Sequence, residues 1–137
     1  MLSNPIWQVE LEGSELARIE QDGADLVIVL AAARVPGDPR QRGLDQTGGH
    51  LQGVRLHLLE ARCTGPVSAL VGRLDEVSWA CEAAPPGLRA PLAVPSSGAT
   101  PVRLSLRTAL GDTWSVQAQA WRIEWLPGGR FTPSLAC

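Results

Sequence analysis

The chain has no tyrosine, one phenylalanine and one methionine, and its 12 positive charges are all arginine, with no lysine. With so few other aromatic rings, the five tryptophans must supply nearly all of the aromatic volume of any core. Arginine makes bidentate contacts to phosphate and carboxylate, but here the arginines are scattered and no stripe of them suits a nucleic acid backbone. The net charge of -2 gives no general attraction to nucleic acid or to an anionic membrane surface. Biased codon usage is the favoured account of the missing lysine.

Histidine and cysteine are also sparse. Nucleophilic catalysis needs a Ser or Cys with a base in reach, and only His50 and His57 are on offer. His57 and Cys63 lie about 20 Å apart along an extended chain at about 3.3 Å per residue. A Cys–His pair would need another strand to bring Cys81 or Cys137 across. The three cysteines are odd in number and lack zinc-type spacing. No metal site or cofactor is expected, and a Cys63–Cys81 bridge is not expected in a reducing compartment. Cys137 is the last residue, so it is not in a prenylation motif.

Long apolar runs are absent. The longest, Leu26 to Ala33, is far short of the roughly 20 residues a spanning helix needs. Met1-Leu2-Ser3-Asn4-Pro5 lacks the basic and apolar regions of a secretion signal. The expectation is a cytoplasmic protein. Its length of 137 residues suits one domain over 1–137, able to bury a core without disulfides or metal.

What is present is period-two alternation. Trp7-Gln8-Val9-Glu10-Leu11 reads as a first strand that Gly13-Ser14 breaks. Asp22-Gly23 between two apolar runs predicts a tight hairpin pairing Ile19 with Leu26 and Ala17 with Ile28. Leu26 to Leu30 is apolar on both faces, so its second face must be covered, either within the chain or by another subunit. Val27, Val29 and Ala31 are the candidate contact. Pro36 to Gly49 reads as loop, and a strand follows from Leu51 to Cys63 with a change of hydrophobic phase near Leu59. Thr64 to Leu74 allows at most one short helix near 66–71. Val77 to Cys81 is a strand, and Leu92 to Val94 a short edge strand between prolines.

The closing hairpin is the most explicit element. Pairing Thr108 with Asp112 sets Leu106 against Trp114, Leu104 against Val116 and Val102 against Ala118, with Gly111 third in the loop. After Ala120 the apolar residues move from even to odd positions, onto Trp121, Ile123 and Trp125. A bulge there returns these side chains to the core; no bulge turns them to the opposite face. Leu126-Pro127-Gly128-Gly129 predicts a type II turn into a last strand near Arg130 to Thr132.

The sum is an all-β, single-domain antiparallel barrel, or a two-sheet sandwich, of about seven or eight strands joined by hairpins. No sequence signature identifies a reaction. The carboxylates Glu10, Glu12, Glu15, Glu20, Asp75, Glu76 and Glu124 read as solvent-face charges, and Gly48-Gly49 and Gly128-Gly129 as turn glycines. Trp7, Trp79 and Trp114 read as core. The favoured function is a non-catalytic domain acting by protein binding or self-association, a possible homodimer through Val27, Val29 and Ala31. The alternatives are a barrel holding a small apolar or aromatic ligand beside Trp121, Trp125 and Arg122, and an enzyme of unidentified type, which converging carboxylates or His57 beside a cysteine would favour.

Overall fold

The computed structural model describes residues 7–36, 48–64, 70–81 and 92–133. These residues form twelve strands: β1 Trp7–Asp22, β2 Asp25–Val35, β3 Gly49–Leu51, β4 Val54–Leu59, β5 Arg62–Thr64, β6 Gly72–Cys81, β7 Leu92–Val94, β8 Ser96–Gly98, β9 Val102–Thr108, β10 Thr113–Ala118, β11 Ala120–Trp125 and β12 Phe131–Pro133. All pairings are antiparallel, and no helix occurs among the described residues. The strands exceed the expected seven or eight because kinks divide long ones and because β3 and β8 fall in segments without clear alternation. The expected short helix lies mostly outside the described residues, and Leu70 and Val71 are not helical.

The hydrogen-bonded path runs β5-β10-β9-β6-β1-β2-β4-β11-β8, with β7 on β1 and β3 joining β2 to β12. Among the described residues the sheet does not close into a barrel. It folds over itself, because β5 at one end of the path continues from β4 near the other. One cluster fills the inside, including Leu16, Ile28, Leu56, Leu58, Leu104 and Ile123.

The β9–β10 hairpin has the register that the alternation requires: Leu106 faces Trp114, Leu104 faces Val116 and Val102 faces Ala118. The Thr108 amide donates to the Asp112 carbonyl (2.9 Å), and Gly111 takes the positive φ of 93° that its loop position demands. The Pro127-Gly128 turn also forms, with the Gly129 amide donating to Leu126 O at 3.1 Å. The strand after it is Phe131–Pro133.

Two expectations shift. The first hairpin turns on Gly23-Ala24, not Asp22-Gly23, so Asp22 pairs with Asp25 and Ile19 with Ile28. Of the two loop residues only Gly23 has positive φ, which suits a type II′ turn with Gly first and spares Asp22 the left-handed region. The displacement is by two residues, so each side chain keeps its face. Gly13-Ser14 kinks β1 without ending it. Ser14 is fully buried; its hydroxyl donates to Glu10 O (2.6 Å) and accepts from the Arg34 amide (2.8 Å), replacing ladder bonds across a register shift.

The phase changes on the two long strands occur at one place. Leu59 pairs with Ala120 and Arg62 with Gln117, leaving Glu60-Ala61 opposite Ala118-Gln119. Neither strand carries an extra residue, so there is no one-sided bulge. Both strands rotate together at Glu60, which sits at φ 49°. The hairpin tip holds this corner: Asp25 Oδ1 accepts from the Glu60 amide (2.9 Å), and Ala24 O accepts from the Ala61 amide (2.8 Å). Val116 before the corner and Ile123 after it therefore both face the core.

Candidate functional site

Three groups of residues were candidates from sequence. Trp121 and Trp125 pack against the core, half-buried on either side of the fully buried Ile123. Trp121 stands edge-on to Trp79, with ring centroids 5.3 Å apart, and its indole lies across Gly98 on β8. Trp125 donates its Nε1–H to Gln52 O at 2.8 Å and meets Trp7 edge-on, and Trp7 stacks on Phe131. Both rings are thus engaged with the protein, while Arg122 projects from the opposite face of β11. Trp79 and Trp114 are buried and Trp7 is half-buried.

Among the described side chains, the candidate nucleophile and bases do not come together. His57 Nε2 is 2.9 Å from Glu124 Oε1 on the outer face of β4 and β11. Cys63 is a free, exposed thiol on β5, opposite Val116. His50 is on β3 between Arg34 and Thr132, and Cys81 on β6 opposite Val102. Cys137 lies outside the described residues. Among the described residues no group of three metal-ligating side chains converges, and no helix is long and apolar enough to cross a membrane. Several carboxylates face guanidinium groups across short distances: Glu10 with Arg34, Glu20 with Arg18, Asp75 with Arg73 and Glu76 with Arg107.

The third candidate, the outer face of β2, is where polar chemistry gathers. Val27 is 7 % exposed, Val29 is half-buried and Ala31 exposed. The pairing places Val27 between Glu20 and His57, and Val29 between Arg18 and Arg55. Next to these on β11 stand Arg122, opposite His57, and Glu124, opposite Arg55. Long side chains on both sides shield the valines, as their apolar stems can while the charged heads stay in water. The second apolar face of β2 thus lies within a charged lattice. The sequence marks these residues only as the outward parity of four strands, and only the register shows that they share two rows. Arg122 and Arg55 have no ion pair among the described residues, and Arg55 Nε is buried without a hydrogen-bond partner.

No family model matches the chain, and no curated protein or solved structure is similar enough to be matched.

Proposed function

We propose that this is a non-catalytic β-domain that acts by protein binding, and that the partner for the outer face of β1, β2, β4 and β11 is a second copy of the chain. The order of charges on that face carries the reading. Across the strands one row is Glu20, Val27, His57, Arg122, and the next is Arg18, Val29, Arg55, Glu124. A twofold axis parallel to the strands, between β2 and β4, lays β1 of one protomer over β11 of the other. It sets Glu20 against the partner's Arg122 and Arg18 against the partner's Glu124. Both contacts join opposite charges, and the pattern is isologous, as a twofold contact requires. The two valines then face His57 and Arg55 across the axis, and the exposed Ala31 beyond them offers no bulk to hold the surfaces apart.

The existing Arg18–Glu20 pair is exposed on both sides, so exchanging it for a contact across the interface forfeits little. The patch is about 15 Å across, four strands at about 4.8 Å spacing. That is small beside a standard interface of about 800 Å² per partner, so a reversible, salt-sensitive dimer follows, not an obligate one. A cytoplasmic setting is consistent with the free thiol of Cys63.

Sedimentation equilibrium tests this at protein concentrations up to the order of 100 µM in low salt. Dimerisation is expected for the native chain, loss of it for E20R and for R122E, and recovery in the E20R/R122E double variant. A native chain that stays monomeric, or a double variant no better than the singles, overturns the proposal.

A further inference from the structure

A second surface lies on the other part of the sheet, and it has the opposite character. The outward positions of β6, β9 and β10 carry Ser78, Ser105 and Ser115 side by side in one row. The row before it holds Glu76, Arg107 and Thr113, and the row after it Ala80, Arg103 and Gln117. Short hydroxyl side chains between longer ones leave a trough, and a groove of about 730 Å³ opens there.

The charges around this groove are already engaged. Glu76 is paired with Arg107 (2.8 Å) and Asp75 with Arg73 (2.9 Å), and Glu12, which also lines the groove, has a partner of its own. Glu76 and Asp75 already have guanidinium partners, so a neutral ligand can lie beside them without leaving either charge unpaired. The serine and threonine hydroxyls are different. Each both donates and accepts, and among them only one mutual contact is made, Ser105 Oγ to Ser115 Oγ at 3.3 Å. The paired carboxylates and guanidinium retain further acceptor and donor positions, since a carboxylate has about four lone-pair sites and a guanidinium five N–H groups.

We infer that this groove is a binding site for an uncharged polyhydroxylated ligand, a neutral oligosaccharide of a few sugar units. Sugar hydroxyls are themselves donor-acceptors in neighbouring pairs. They match a row of serines flanked by satisfied ion pairs without burying net charge. The inference is independent of the proposed dimer, whose face lies on other strands.

The test is a ¹⁵N-resolved NMR titration of the full chain with maltotriose, cellotriose and triacetylchitotriose, and with a blocked, uncharged tripeptide as the competing class. Saturable shifts at the amides of Ser78, Ser105 and Ser115 with at least one trisaccharide are expected, with affinity in the millimolar range. S105V, which keeps a strand-forming side chain at a half-buried outward position, is expected to weaken that binding about fivefold while the remaining spectrum keeps its dispersion. S78V serves as the second variant. The inference fails if none of the three sugars shifts these amides at concentrations on the order of 50 mM. It also fails if the tripeptide binds as well as the sugars, or if both valine variants bind like the native chain.

Discussion

Trp121 and Gly98 face each other across β11 and β8, and the ring occupies the space where any other residue would place its Cβ. A methyl group at Gly98 would stand 2.4 Å from Trp121 Nε1. Gly98→Ala is therefore expected to displace the indole from its contact with Trp79 and to cost about 1–3 kcal/mol, as overpacking does. A urea titration followed by tryptophan fluorescence reads both effects. Ser14 is the polar counterpart. Its hydroxyl satisfies the Arg34 amide at the kink of β1, so Ser14→Ala leaves a part-buried donor without that partner. The expected loss is about 1–3 kcal/mol in the same titration. Glu60 points the other way. It holds φ 49° with an exposed side chain, a conformation that costs a non-glycine residue about 1–2 kcal/mol. Glu60→Gly relieves this, offset in part by a more flexible unfolded chain. A gain of about 0.5–1 kcal/mol is expected, seen as a raised Tm in calorimetry.

At the scale of elements, the hairpins separate what pattern alone can decide from what it cannot. The β9–β10 register was legible because two independent signals agreed. Gly111 sits where the loop needs a left-handed residue, and any slip by one would bury Ser115 or Gln117. In that loop Gly111 has no atom within 4 Å of its would-be Cβ, so Gly111→Ala meets only backbone strain. A destabilisation of about 1 kcal/mol by chemical denaturation is expected, with the pairing from Leu106–Trp114 to Val102–Ala118 retained. The β1–β2 register was legible only as to face. Asp22-Gly23 and Gly23-Ala24 both place a glycine in a two-residue turn, and hydrophobic alternation is blind to a shift of two. β8 was illegible because Ser96-Ser97-Gly98 has no apolar alternation; its partner Trp121 supplies the cover that its own side chains lack. The phase change after Ala120 could be seen in sequence, but its mechanism could not. A bulge on one strand and a matched rotation of two strands leave the same trace in either strand alone.

For the whole molecule, the charged lattice over β2 and the serine trough over β9 are products of register. Each row joins a local hairpin to strands far from it in the chain, so no local window contains a whole row. The proposed dimer makes a prediction at this scale. Its contacts are pairs of opposite charge near the surface, and raising ionic strength shortens the Debye length from about 14 Å at 0.05 M to about 4 Å at 0.5 M. Dimer dissociation is therefore expected to strengthen by about tenfold over that range. A salt-independent equilibrium would point to apolar contact instead.

Alternation along the chain determined the all-β class, the inward face of the main strands and the register of the closing hairpin, because strand side chains alternate strictly and a buried face tolerates no polar slip. It also marked the strand apolar on both sides, with Val27 and Val29 as its outward members. The tertiary structure decided what those valines sit among, which tryptophans cover which glycines, and how Trp121, Ile123 and Trp125 reach the core. The physical reason is that these outcomes depend on which strand lies beside which. Antiparallel pairing brings Glu20 and Arg122 into one row across a separation along the chain that no period-two pattern encodes.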